Sequence, residues 1–308
     1  MIPRSVKKAS LFIILVILIS YGFVGAYLAL GGQWVMPMST IISALYMLIP
    51  MVIAVSIQKL VYKQSVIEPL GVSFHFNIWF IIAWLMPVIL VFFTLGISLL
   101  FPFIEYSPEM SGFFDQLPGS YSAEQIREIE IAIETLPVHY FWISLVGGLI
   151  AGVTINALFA FGEELGWRGF LLKELSFLGF WKSSIVIGVV WGIWHAPMIL
   201  QGHNYPDHRI FGVLMMIIFC LLLSPILGYI TLKAKSVLAA SICHGTINAL
   251  AGLTFMVVEG GNDLTVGATG LPGIIALCLI NVGIFLFDRV GANPSLFAKT
   301  SVGRRKNI

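Results

Sequence analysis

The chain has 308 residues, 58% of them hydrophobic and 10% charged, with a formal net charge of +2 and a mean hydropathy of +0.97. Soluble domains carry about 25% charged residues, so these values exclude an ordinary water-soluble domain and indicate a chain that crosses a lipid bilayer several times. With so small a net charge and no basic patch interleaved with aromatics, no nucleic-acid partner is expected.

About eight apolar spans approach the ~20-residue length that a bilayer requires. They cover 10–30, 40–57, 78–101, 141–172, 183–200, 210–232, 237–258 and 272–287. The expected fold is therefore all-α, a polytopic membrane helix bundle. The first span follows Arg4, Lys7 and Lys8. Its apolar core exceeds the roughly 7–15 residues of a signal peptide, so it reads as an uncleaved anchor. Of the 17 Lys and Arg, all but Arg127 and Arg209 fall on one side of this arrangement, including Lys59, Lys63, Lys173, Lys182, Lys233, Lys235 and the tail residues Arg289, Lys299, Arg304, Arg305 and Lys306. By the positive-inside rule both termini are expected in the cytoplasm of a multi-pass integral membrane protein.

The only long loop, 104–139, is acidic. Within it Ser122 and Gln125 have capping-box spacing, and Ile126, Ile129, Ile131 and Ile133 partly follow a helical face, which predicts a short amphipathic helix on the outer surface, serving as a connector or a lid. The loop at 201–209 carries His203, Asp207 and His208 and reads as an exposed polar connection rather than a metal site. Cys220, Cys243 and Cys278 lie in apolar spans without C-x-x-C spacing and read as small buried hydrophobes. Ser224-Pro225 marks a kink in the sixth span.

Three spans carry polar groups that are costly inside a membrane. The fourth has Glu163, Glu164 and Arg168, the fifth Trp191 and His195, and the seventh His244 and Asn248. Glu164 and Arg168 are i,i+4 and can pair along a helix, with the acid on the favourable amino-terminal side. Glu163 is turned about 100° away. Trp191 and His195 share the same spacing, as do His244 and Asn248. Pro197 cannot donate to the carbonyl of Ile193, which loosens the helix beside His195. At about 1.5 Å per residue, His244 lies about 12 Å in from Ser236 and His195 about 18 Å in from Ser183, at loosely similar depth. A carboxylate and a neutral His can hold and deprotonate a water, and a second His with an Asn can donate to a developing oxyanion. Two His and a Glu also make a common catalytic zinc set. Both readings stand at this point, the second with Glu163, His195 and His244 as metal ligands, so the cofactor is either none or a divalent metal such as zinc.

In these motifs the sequence resembles the CPBP intramembrane proteases, also called the Abi or CAAX-protease family, which includes type II CAAX prenyl endopeptidases and bacteriocin-immunity proteins. The family pattern E-E-x-x-x-R, F-x-x-x-H and H-x-x-x-N/D reads here as Glu163-Glu164 to Arg168, Trp191 to His195 with Trp in place of Phe, and His244 to Asn248. The resemblance implies a membrane endopeptidase whose site opens towards the cytoplasm. It implies Glu163 as the base activating water with His195, His244 and Asn248 as oxyanion donors, and Glu164 with Arg168 and Trp191 in support. It divides the chain into 1–139, three amino-terminal spans with the acidic loop; 140–258, the protease-like core; and 259–308, the last span and a basic tail. The implied substrate is a membrane-associated or lipidated peptide or protein. A non-catalytic immunity or scaffold protein and a proton-coupled transporter are the alternatives; the broken helices and repeats common in transporters are not visible in the sequence.

Overall fold

The apolar spans fold as helices because hydrocarbon offers backbone N–H and C=O groups no other partner than the helix itself. In this computed structural model, which describes residues 3–115, 117, 121–290 and 296, the helices in chain order are α1 (Arg4–Ala29), α2 (Met38–Ser56), α3 (Ile78–Ser98), α4 (Ser111–Phe114), α5 (Ala123–Glu134), α6 (Tyr140–Val153), α7 (Ile155–Glu164), α8 (Leu172–Glu174), α9 (Phe180–Trp194), α10 (Ala196–Ile199), α11 (Arg209–Ala234), α12 (Val237–Leu250), α13 (Leu253–Met256) and α14 (Leu271–Val290). π-helical turns follow α2 at Ile57–Val61 and α7 at Leu165–Leu171. The only strands among the described residues are the two-residue β1 (Glu105–Tyr106) and β2 (Val258–Glu259), an antiparallel pair that ties the long loop to the end of α13.

Among the described residues, six helices are long and apolar enough to cross a membrane, or up to seven if the pair Tyr140–Val153 and Ile155–Glu174, bent by 48°, counts as one span. The sequence suggests about eight. The difference lies at 183–200, where α9 has only 15 residues and the chain breaks at His195 before α10. Pro197, in the first turn of α10, is the reason: a ring in place of the N–H cannot continue the α9 ladder.

Glycines set the closest helix approaches. A Cβ at Gly162 would meet the Met47 carbonyl at 2.6 Å, one at Gly166 would meet Pro50, and one at Gly169 the Leu70 carbonyl, so α2 and the segment after it lie directly on the α7 stretch. Gly245 of α12 sits against the backbone of Asn156 and Ala157 on α7, and Gly152 of α6 against Thr246. Small residues at such crossings are the usual basis of helix packing in lipid. One hydrophobic core runs from Ala9 through Tyr46, Trp167 and Trp191 to Leu277. Outward faces remain apolar, with Leu18, Ile89, Ile150, Leu214 and Val282 all exposed.

The bundle has two chemically different ends. At one, the segment 63–77 meets the α11–α12 turn through Val237 N–H to Gly71 O, Ser236 Oγ to Ser73 O and Asn77 Nδ2 to Ala234 O, with Lys173 Nζ on the Pro69 carbonyl. At the other, Asp263 accepts from the backbone of Asp207 and His208 and pairs with the His208 ring, Tyr205 bonds the Thr269 carbonyl, and His203 meets Trp34 edge-on. The expected amphipathic helix is α5, whose capping box is formed by Ser122 and Gln125. Cys220 and Cys243 are buried as expected, but Cys278 is exposed. It lies on α14, where an apolar position faces outward as readily as inward because hydrocarbon accepts a thiol as the protein core does. Lys299, Arg304, Arg305 and Lys306 lie outside the described residues.

A candidate active site around Trp191

The stretch 159–172 continues as one helical path, α7 passing into the π-helical segment. The wider i to i+5 ladder is rare and concentrates at functional sites. Here it carries Arg168, whose Nη1 donates to Glu164 Oε1 at 2.8 Å. Both side chains are sealed from solvent, at 1% and 0% exposure, so the pair has the spacing the sequence suggests. The same Glu164 oxygen takes a second hydrogen bond, from Nδ1 of His244 on α12, also at 2.8 Å. A carboxylate only accepts, so His244 Nδ1 carries a proton.

Glu163, turned away from this pair, accepts at 2.6 Å from the indole Nε1–H of Trp191 on α9. Trp191 is the centre of the cluster. The Arg168 guanidinium lies over its ring, 4.3 Å from the centroid, an attractive cation–π placement. The His244 ring meets it edge-on at 5.3 Å and the His195 ring lies 5.7 Å away. Glu163, Glu164, Arg168 and His244 are all buried. Unpaired, such charges would each cost several kcal/mol; here each has an assigned partner.

His195 occupies the junction of α9 and α10. Its Nδ1 is 2.8 Å from the carbonyl of Trp191. A carbonyl cannot donate, so Nδ1 carries the hydrogen, and in the neutral ring Nε2 is left as the basic lone pair. The ring is held edge-on by Trp194 at 4.8 Å, with Cys220 Sγ 3.8 Å from Nδ1. His195 is part-exposed and Asn248 exposed, and Asn248 has no side-chain partner among the described residues. The structure thus brings Glu163, Glu164, Arg168, Trp191, His195 and His244 together, with Asn248 one turn beyond His244 on α12. A cavity of about 610 Å³ adjoins the cluster, but it is lined by Arg168 and by none of Glu163, His195 or His244.

Among the described residues no three His, Cys, Asp or Glu side chains form a group able to hold a metal ion. Trp191 engages one oxygen of Glu163, and Nδ1 of each histidine is held by a protein oxygen, which leaves the other Glu163 oxygen and the two Nε2 atoms as the unengaged donors.

Several positioning residues carry no motif. Ser20 of α1 accepts from Trp194 Nε1 at 2.7 Å, Tyr46 of α2 donates to the Trp194 carbonyl at 2.6 Å, and Tyr21 donates to the Ile193 carbonyl at 2.7 Å. These contacts fix the frayed end of α9 on which His195 sits. Their one trace in the sequence is that Ser20, Tyr21 and Tyr46 are hydroxyls inside apolar spans. Trp167 likewise packs edge-on against Phe12 and Trp194, tying α1 to both the acidic helix and α9.

Residues 137–250, which contain all seven of these motif residues, match the family described as Type II CAAX prenyl endopeptidase Rce1-like. The chain is also similar to a protein named CAAX prenyl protease 2 from Methanococcus maripaludis, 31% identical over 133 residues. That match covers 41% of this chain and 46% of the relative, so the similarity spans less than half of either protein.

Proposed function

We propose that this chain, which belongs to the CAAX-protease family by its Rce1-like segment 137–250, is an intramembrane endopeptidase that hydrolyses a peptide bond of a membrane-associated or lipidated protein or peptide. The observation that carries the reading is the gathering of Glu163, His195 and His244 around one indole, each with its orientation fixed by a partner that leaves a catalytic atom free.

Water is held between the Glu163 carboxylate and His195 Nε2. Glu163 takes its proton as the oxygen adds to the scissile carbonyl. The tetrahedral oxyanion is met by His244 and by the Asn248 amide. For His244 to donate from Nε2 while Nδ1 is given to Glu164, the ring must be the imidazolium. In that state the two glutamates, Arg168 and His244 sum to zero formal charge, which suits a buried cluster. The proton on Glu163 then passes to the amide nitrogen, the C–N bond breaks, and the products are a carboxylate and an amine. Glu164 and Arg168 hold His244 in place; Trp191 holds Glu163. The apolar helices and the bias of Lys and Arg to one side support a multi-pass protein with both termini cytoplasmic, acting on substrates presented by the bilayer.

The reading is tested by incubating the purified protein in liposomes with a panel of lipidated and unlipidated peptides and mapping products by mass spectrometry. One new carboxylate and one new amine at a single bond supports it. No cleavage across the panel favours the non-catalytic scaffold alternative.

A further inference from the structure

The cavity of about 610 Å³ beside the cluster opens at the basic end of the bundle, between the 68–71 segment, α8, the start of α9 and the α11–α12 turn. Its lining is mainly apolar, including Leu70, Leu172 and Phe180, while Lys173 and Lys235 line it as exposed cations. Arg168 lines it from within the protein, its side chain 1% exposed. Nη1 of Arg168 is given to Glu164, but its Nε and Nη2 are buried with no hydrogen-bond partner among the described residues. Buried guanidinium N–H groups without an acceptor are costly, and a planar fork of donors matches a phosphate in particular. Glu68 also lines the cavity and is exposed; among the described residues of the lining it is the one acid against three cations.

We propose that this cavity is a binding site for an anionic phospholipid, its phosphate reaching towards Arg168, Lys173 and Lys235 and its upper acyl segments lying on Leu70, Leu172 and Phe180. Free phosphate is a poor occupant because the walls are apolar; a zwitterionic lipid is a poor one because its ammonium would meet the lysines. Location agrees: headgroups lie where Lys residues collect at span ends. The site is distinct from the reacting groups, and its occupancy is read without reference to proteolysis, so its failure and that of the protease reading are separable.

The test is native mass spectrometry of the full chain released from nanodiscs of phosphatidylcholine with or without phosphatidylglycerol. The double variant Lys173→Gln/Lys235→Asn empties the rim, and Asn suits position 235, which has the left-handed φ of 54°. Lys59→Gln/Lys182→Gln removes equal charge from exposed lysines outside the cavity. The wild type is expected to retain phosphatidylglycerol over phosphatidylcholine, the rim variant to hold it on the order of 30-fold more weakly, and the control variant to match the wild type. Thermal melting verifies that both variants fold; if the rim variant does not, Lys173→Gln alone is used, with about 5-fold weaker retention expected. Equal losses in rim and control variants would overturn the proposal. So would retention of neither lipid, displacement of the lipid by millimolar inorganic phosphate, or displacement by a peptide carboxylate, the last assigning the cavity to substrate instead.

Discussion

At the scale of single residues, Trp191 has a role that its position in the motif conceals. As a ring it packs between Arg168 and the two histidines; as a donor it holds the Glu163 carboxylate at 2.6 Å. The Phe usual at this position in the resembled family has the ring without the donor. Trp191→Phe is therefore expected to keep folded yield close to wild type while kcat falls about 10- to 100-fold, the equivalent of one hydrogen bond to a charged group at roughly 1.5–3 kcal/mol. KM should change less than kcat, because substrate binding is not what the bond supplies. A kcat equal to wild type in Trp191→Phe would show that Glu163 needs no such anchor. The ionic partners were legible from spacing alone: i,i+4 predicts the Glu164–Arg168 pair, which is present. What spacing does not reveal is that Glu164 also receives His244 from a helix 80 residues later, since long-range partners are set by packing and not by local periodicity.

At the scale of elements, the site depends on how closely α12 lies on α6 and α7. Gly245 is one residue from His244, and a Cβ there would sit 2.5 Å from the Ala157 backbone nitrogen, with no flexible side chain to give way. Gly245→Ala should destabilise the fold by about 1–3 kcal/mol, the usual cost of overpacking, and reduce activity by moving His244 off Glu164. Gly147→Ala on α6, where nothing lies within 4 Å of the added carbon, should be neutral or slightly stabilising, since Ala is the better helix former by about 1 kcal/mol. Thermal unfolding in one detergent compares the two. The connections around 201–209 make a separate prediction. Burial lowers the His203 imidazole from its ordinary 6.5 to about 4, in a loop where it packs on Trp34. The unfolded chain then takes up the proton first as pH falls, so the stability due to neutral His203 is complete above about pH 6.5 and is lost on descent towards pH 4. His203→Gln should flatten the melting-temperature slope between pH 6.5 and 4; an unchanged slope would assign the acid sensitivity elsewhere. In the sequence these loop residues read as an exposed polar turn. Their packing against Trp34 and Asp263 was not legible, because it joins three connections separated by more than 50 residues each.

At the scale of the molecule, hydropathy and length were enough to indicate a helical membrane bundle, because only closed backbone hydrogen bonding is tolerated in hydrocarbon. They overstated the continuity of two segments: the stretch 141–172 bends by 48° between α6 and α7, and α9 stops at Trp194, with His195 at the break. Composition cannot distinguish a span from a shorter helix that ends at a functional side chain. The motif residues were also legible, but their scaffold was not. Ser20, Tyr21 and Tyr46, from α1 and α2, hold the α9 end through hydroxyl bonds to one indole N–H and two backbone carbonyls, and such contacts leave no periodic signature. We propose that this assembly turns Glu163 into the base that activates water. The most direct measurement compares peptide cleavage by wild type and Glu163→Gln in the same liposomes, at matched folded protein verified by melting temperature. The amide keeps the shape and can still meet Trp191 but cannot take a proton, so the account predicts a loss of at least about 100- to 10,000-fold in kcat, the range of general-base contributions. A Glu163→Gln protein that cleaves within tenfold of wild type would contradict it.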